Sequence, residues 1–365
     1  MKKMKVAQLI TRYCAGGAEM LVLGYVKQMD ERFHTSVINT VATGPLKKAF
    51  LQTSSDVFDV SAVPHWFGRL GAVRVVKRFL RDINPDIVHT HLLGADIIGY
   101  LWKQTHRRVR WVATLHNTEY HTMWIKRLMW RTILRRADVV IAVSPAVASY
   151  AQQVFRVPSK KIHLIENAID VARFQSLPVR SSFHIPVRIA TVGRLEAQKG
   201  HALALRALAL LLHRDWEYHV YGDGTLVPSL HAQTIALGIV DQVVWHGEVS
   251  DVVDAYADAD IILQPSHWEG MSLAIMEAMA SAKCIVASDT SAGNMVVDNE
   301  TGFVFPSGDV EKLTFVLNTV LGDAKSAHHV AEQARNVAVK RFGFAHHLEA
   351  VARVYDDICF DSQST

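Results

Sequence analysis

Three cysteines are all that this chain of 365 residues contains. Cys14, Cys284 and Cys359 lie far apart, are odd in number and lack C-x-x-C spacing, which argues against a disulfide framework or a zinc site. A membrane span is also missing, because charges or glycine interrupt every apolar stretch well short of the roughly 20 residues a bilayer requires. There is no short-period repeat and no low-complexity tract, so the chain reads as ordinary globular domains. The G-x-G-x-x-G fingerprint with a later acidic residue is absent, which lowers a nicotinamide-cofactor reading. Base-stacking motifs for RNA are absent too, and no nucleic-acid partner is expected. The opening Met1-Lys-Lys-Met-Lys-Val-Ala-Gln-Leu-Ile10 is basic, but it runs into a strand and a glycine-rich turn without a signal-peptide cleavage site. The expected location is cytoplasmic.

What is present divides into two halves. The length exceeds one ordinary core, and half the residues are apolar. Residues 1–170 carry 25 Lys and Arg against 12 Asp and Glu, a balance of +13, while residues 171–365 carry 14 against 23, a balance of −9, together the +4 of the whole chain. A basic half suits phosphorylated molecules or an anionic surface. Short Val/Ile-rich runs at 6–10, 35–41, 87–90, 109–115, 139–143 and 162–165 alternate with amphipathic stretches. The pattern restarts at 188–192, 217–221, 243–246, 261–264 and 284–287. Alternating strand and helix signals imply doubly wound parallel sheets, hence two Rossmann-like domains facing a cleft. The prolines and paired serines of Pro178 to Pro186 predict a linker, giving an N-terminal domain over 1–177, a linker over 178–187 and a C-terminal domain over 188–343. The remaining segment, 344–365, has Leu348, Val351, Val354, Tyr355 and Ile358 on one helical face.

Candidate chemistry collects at strand ends, where open α/β sheets bind ligands. Glu269 and Glu277 flank Gly270-Met271-Ser272-Leu273, a turn that opens an apolar helix. Eight helical positions cover on the order of 10 Å, which suits the hexose and ribose of one nucleotide sugar, with helix-start N–H groups facing a diphosphate between them. The ordinary account is a first-turn acid plus one satisfied interior glutamate. Arg194 and Lys199, bracketed by Gly193 and Gly200, stand at a helix entrance and would neutralise charge growing on a leaving nucleotide. A solvated basic loop is the alternative. Gly17, after the first strand, allows close approach of backbone to phosphate, and His116 ends a strand, where a lone histidine is often structural. Asp258-Ala-Asp260 has the spacing of a metal-binding D-x-D, but nothing nearby supplies further oxygen ligands; it reads as a polar helix-to-strand join, and no metal or cofactor is assigned.

An ordered set of motifs then resembles the retaining GT-B glycosyltransferases of glycosyltransferase family 4. Pro265-Ser266-His-Trp-Glu269-Gly270 and Glu277-Ala-Met-Ala280 match its signature. So do Gly16-Gly17-Ala18-Glu19, Asp86-Ile-Val-His-Thr-His91, Thr114-Leu-His116, Ala142-Val-Ser-Pro145, Glu166-Asn-Ala-Ile-Asp170, Gly193-Arg194-Leu-Glu-Ala-Gln-Lys199-Gly200, Tyr221-Gly-Asp-Gly224 and Thr301-Gly-Phe-Val-Phe-Pro306. The resemblance spans nearly the whole chain. It implies a GT-B fold whose last helix, within 344–365, crosses back to the N-terminal domain. It further implies a nucleotide-sugar donor, UDP-linked, and transfer of a hexose with retention. Gly17 is placed on the donor phosphate, and Arg194 and Lys199 on the diphosphate. His116 and Glu269 fall on the donor sugar, Glu277 on the ribose and the backbone N–H groups of Met271, Ser272 and Leu273 beside the phosphates, while the loop reaching Val249 reads the base. Two departures are visible. Gly270-Met-Ser replaces the usual Gly-Phe-Gly or Gly-Phe-Pro, and Ser291-Ala-Gly-Asn-Met295 puts Asn294 about where an acid is usual. A nucleotide-sugar epimerase on the same fold, or a non-catalytic membrane-surface module, are the competing readings.

The expected acceptor is a saccharide, lipid-linked, in cell-surface polysaccharide synthesis. Leu70 to Asp82 gathers Arg74, Lys77, Arg78 and Arg81 on one arc and Val73, Val75, Val76, Phe79 and Leu80 opposite. Met123 to Arg136 places Arg127, Arg131 and Arg135 beside Trp124 and Leu128, and His65-Trp66-Phe67 offers a third contact. Apolar groups beside a cationic stripe suit an anionic headgroup layer, which predicts a peripheral enzyme on the inner membrane face.

Overall fold

The structure, a computed structural model, describes residues 3–13, 16–41, 43–53, 55–60, 68–118, 124–179, 182–212, 215–249 and 251–360. The chain divides into two units, one made of Met1–Ala168 with Phe344–Thr365, the other of Ile169–Gly343.

The first unit is a seven-stranded, all-parallel sheet formed by β1 (Met4–Ile10), β2 (Phe33–Asn39), β3 (Asp56–Asp59), β4 (Ile87–His91), β5 (Arg110–Leu115), β6 (Val139–Ala142) and β7 (Ile162–Leu164). Their order is β3-β2-β1-β4-β5-β6-β7. The central strands carry near-continuous buried runs because helices cover both faces. The second unit repeats the plan with β8 (Val187–Val192), β9 (Trp216–Tyr221), β10 (Val243–Gly247), β11 (Ile261–Gln264), β12 (Cys284–Ser288) and β13 (Phe303–Phe305), in the order β10-β9-β8-β11-β12-β13. In both sheets the order reverses beside the first strand of the unit. That is the switch point at which a crevice opens beyond the strand ends.

β3 and β13 are elements the alternation did not predict. Both are sheet edges of three or four residues, too short for a period to show, and β3 is bounded by Asp56 and Asp59.

The domain boundary also differs from the expected 177. Ile169 bridges Gly343 and donates its N–H to the Phe342 carbonyl, while Phe174 packs edge-on against Tyr256 with ring centroids 5.5 Å apart. These contacts commit the chain from Ile169 onward to the second unit. Nor is 178–187 a free linker. Asp260 accepts from the backbone N–H of His184 and of Arg188 and from His184 Nδ1, tying the stretch to the second sheet.

The final helix, Phe344–Phe360, belongs to the first unit. It buries Leu348, Val351, Val354 and Tyr355 in the core that contains Val6, Leu21, Tyr25, Val37 and Ile87. Gly24, in the helix Gly17–Gln28, makes this packing possible, since a Cβ there would lie 2.0 Å from Phe344 Cε1.

Gly24→Ala therefore sets an overlap, typically worth about 1–3 kcal/mol, against a helix-propensity gain of about 1 kcal/mol. With three ring atoms inside 3.0 Å the overlap dominates, and denaturant unfolding should show a loss. In a Phe344→Ala background the same change should become neutral or stabilising. Equal effects in both backgrounds would refute the assigned packing.

Candidate active site

Between β8 and the helix His201–Ala209 the chain must turn sharply and lie against the loop after β11. Gly200 meets both demands, with φ +69° and no Cβ, which would otherwise sit 2.0 Å from the Pro265 carbonyl oxygen. The two loops are then stitched together. His267 donates its N–H to the Gln198 carbonyl at 2.8 Å, and the Gln198 amide donates to the Trp268 carbonyl at 2.9 Å and to Glu269 Oε2 at 3.3 Å. Lys199 Nζ donates to Glu269 Oε1 at 2.6 Å, and Ser266 Oγ donates to the same oxygen at 2.8 Å. The Glu269 side chain is 9% exposed and that of Lys199 15%. An ion pair so far out of water is held by its surrounding hydrogen bonds, and removing one partner strands the other charge. Arg194 lies exposed alongside, its guanidinium 3.4 Å from Gln198 Oε1.

Three residues beyond Glu269, Ser272 opens the helix Leu273–Ala280. Its Oγ makes no cap bond and is buried without a hydrogen-bond partner among the described residues. The first N–H groups of any helix lack intrahelical acceptors, so this end presents donors and a positive dipole. Glu277 sits within that helix, buried, accepting from the Tyr256 hydroxyl at 2.7 Å. Burial pushes its carboxyl up to about 7, against the opposing pull of the Tyr256 hydrogen bond and the Arg173 charge. Arg194, Lys199, Glu269, Met271, Ser272, Leu273 and Glu277 thus cluster at the strand ends of the second unit. Val249, half-buried, follows β10 beyond the exposed Glu248, and His246 at the end of that strand is stacked on Tyr221 at 4.0 Å.

Asp260 is the buried acceptor that ties down His184 and Arg188, and Asp258 is exposed. Among the described residues no three His, Cys, Asp or Glu side chains are grouped to hold a metal ion.

Gly17 and His116 lie in the first unit. Gly17 begins the helix Gly17–Gln28, and Glu19 is buried with its carboxylate folded back over the helix start, 2.6 Å from where a Gly16 Cβ would be. His116 follows β5 and joins a chain of buried polar groups. His91 Nδ1 is 3.0 Å from His116 Nε2, His91 Nε2 is 2.9 Å from Gln8 Oε1, and the Gln8 amide nitrogen is 3.0 Å from the Tyr355 hydroxyl. The same hydroxyl is 2.6 Å from His89 Nδ1, whose Nε2 is 2.6 Å from Thr114 Oγ1. Burial lowers these imidazoles, His116 to about 3, and keeps them neutral.

Residues 181–337 match the family model of Glycosyl transferases group 1, and residues 15–173 that of Glycosyltransferase Family 4. The lipopolysaccharide core biosynthesis mannosyltransferase LpcC of Rhizobium leguminosarum bv. viciae is 31% identical over 67% of this chain and 70% of its own length. The chain belongs to the family 4, group 1 glycosyltransferases. An Escherichia coli UDP-Gal:alpha-D-GlcNAc-diphosphoundecaprenol alpha-1,3-galactosyltransferase is 23% identical over 77% of this glycosyltransferase and 78% of its own chain. The fold matches Anabaena Alr3699/HepE, solved in complex with UDP and glucose, at TM-score 0.85 and 23% identity, covering 97% of this chain and 100% of that one. The architecture is therefore GT-B, two Rossmann-like domains.

Gln198, Gln8 and Tyr355 were missed by the motif reading. Gln8 had a visible signal, being the one polar side chain inside the apolar run Val6–Ile10. Nothing local marks Tyr355, whose partners are more than two hundred residues away.

The raised Glu277 carboxyl has a consequence for stability. Folded Glu277 keeps its proton up to about pH 7, whereas the unfolded chain loses it near 4.5, so its contribution is full below 4.5 and is lost as pH rises through 7. Unfolding of wild type against Glu277→Gln should show wild type losing about 3 kcal/mol relative to the variant between about pH 4.5 and about pH 8. A constant difference would show that Glu277 is ionised throughout.

Proposed function

We propose that this glycosyltransferase moves a hexose from a UDP-linked donor to a hydroxyl of a lipid-linked saccharide, with retention of anomeric configuration and without a metal ion. The observation that carries the reading is the part-buried Lys199–Glu269 pair, set just before a helix whose N-cap Ser272 makes no side-chain cap bond. A cation, a fixed carboxylate and an anion-ready helix end are what a sugar diphosphate needs: charge neutralisation for the phosphates and hydrogen-bond acceptors for the sugar. Lys199, Arg194 and the Ser272 helix end hold the diphosphate, Gly17 approaches a phosphate, and Glu269 and His116 orient the sugar. Glu277 takes the ribose hydroxyls, and the Val249 loop takes the base. The acceptor oxygen bonds to the anomeric carbon on the face from which the phosphate oxygen departs. As that carbon–oxygen bond breaks, the leaving phosphate receives the acceptor proton. The UDP of the Anabaena complex and the galactosyl and mannosyl activities named for the relatives support donor and sugar class. An acceptor-dependent product separates this from an epimerase.

Panel screening of nucleotide hexoses by thermal shift should find the donor. Above pH 7, where its carboxyl is ionised, Glu277→Ala should then weaken its binding by about 1.5–3 kcal/mol, the cost of lost hydrogen bonds to a charged group. Glu269→Gln should chiefly lower kcat, and wild-type turnover should persist in EDTA, because Arg194, Lys199 and the helix end neutralise the leaving group. Unchanged binding and rate in both folded variants, or activity lost in EDTA and restored by manganese, would overturn this assignment.

The lipid-linked acceptor rests on the helix Trp124–Leu134. Trp130, Ile133 and Leu134 anchor it inward, while Trp124 is 72% exposed, with Ile125, Leu128 and Met129 exposed beside Arg131. Leu128, Arg131, Thr132, Arg135 and Arg136 line a surface hollow. In the helix Gly68–Ile83, Arg74, Arg78 and Arg81 are exposed and Val76, Leu80 and Ile83 buried. His65, Trp66, Phe67 and Met123 lie outside the described residues. Among the described residues no helix is long and apolar enough to cross a membrane. The attachment proposed is peripheral and rests on the exposed basic residues, at about 1 kcal/mol each near an anionic surface. Liposomes of anionic lipid should co-sediment the protein at low salt and release it at high salt. Binding that survives neutralisation of Arg127, Arg131 and Arg135, or no binding at all, would move the acceptor into solution.

A further inference from the structure

Alternation along parallel strands puts side chains two residues apart on one face, so His89 and His91 of β4 share a face, as do Thr114 and His116 on and just beyond β5. Gln8 on β1 is in register with His89, and His91 with Thr114. The last helix lays Tyr355 over this row. The hydrogen bonds leave two self-consistent proton arrangements. In one, the Gln8 amide donates to the Tyr355 hydroxyl, which donates to His89 Nδ1, while Gln8 Oε1 accepts from His91 Nε2–H and His91 Nδ1 accepts from His116 Nε2–H. Here His116 Nδ1 is a bare lone pair. Flipping the amide reverses every step and leaves His116 with an Nδ1–H. That nitrogen is buried and has no hydrogen-bond partner among the described residues. An orphaned buried N–H is rarer and costlier than an under-used acceptor, so the first arrangement is favoured.

We propose that Gln8, His91 and Tyr355 are positioning residues that fix His116 as its Nε2–H tautomer, with Nδ1 reserved to accept a hydrogen bond from a hydroxyl of the substrate sugar. His116 then serves as an acceptor and not as a proton donor. It favours a sugar that carries a hydroxyl at the contacted carbon over one that carries a carboxylate there, whose oxygens only accept. Nδ1 is buried in this structure. The sugar contact rests on the donor reading given above; the tautomer does not.

The test separates the two. Nitrogen-15 spectra of the full chain, with ¹⁵N-labelled histidine and the His116 resonances identified by their loss in His116→Asn, should show a pyrrole-like Nε2 and a pyridine-like Nδ1 at neutral pH. Tyr355→Phe and Gln8→Leu, both near-isosteric, should each convert that signal to a tautomer mixture and lower kcat roughly tenfold, equivalent to about 1.4 kcal/mol of transition-state stabilisation. A His116 that is Nδ1–H or doubly protonated in wild type, or one whose spectrum is unchanged in both variants, would overturn the proposal. If the spectra behave as described while His116→Asn turns over the screened nucleotide hexose at the wild-type rate, the positioning chain stands and the donor role of His116 falls.

Discussion

Two parallel sheets, each covered by helices on both faces, constrain everything else in this molecule. A strand buried on both faces has no solvated side on which polar chemistry can sit, so functional groups concentrate at strand ends and in the loops beyond them. Arg194 to Lys199 follow β8, Ser266 to Glu269 follow β11 and His116 follows β5. Among the exceptions are Gln8, His89 and His91, buried within the first sheet and tolerated because each finds partners in the others and in the final helix.

The second unit shows how a few backbone demands place a charged pair. Gly200 lets one loop lie against Pro265, and Gln198 then bridges the loops and holds Glu269 where Lys199 can reach it. The pair lies beside the start of a helix whose Ser272 hydroxyl has no partner among the described residues. Glu277, one turn and a half into that helix, is desolvated by the same close packing. A cation, an anion and a helix start thus lie side by side at the strand ends of the second unit.

Much of this was legible in the residues. The alternation of Val/Ile-rich runs with amphipathic stretches marked eleven strands, because sheet interiors and helix faces impose periods that a sequence must show. Gly200 marked a close approach of two loops, and the motif between Glu269 and Glu277 marked the start of the helix Leu273–Ala280. β3 and β13 were too short to carry a period. The boundary near residue 177 was misplaced because proline and serine content records local stiffness, whereas a domain edge is decided by whether Ile169 and Phe174 pack on Gly343 and Tyr256.

The sequence by itself determined the element types, the doubled architecture, the charge asymmetry and the identity of the strand-end residues, since each depends on neighbours within about a dozen positions. Tertiary structure alone decided which charges pair, which carboxyl is desolvated and which imidazole nitrogen is left without a partner. Lys199 and Glu269 are 70 residues apart, and Gln8 and Tyr355 are 347 apart. Such contacts are written in no local pattern, because hydrogen-bond geometry and burial exist only once the sheets have formed and the final helix has docked on the first.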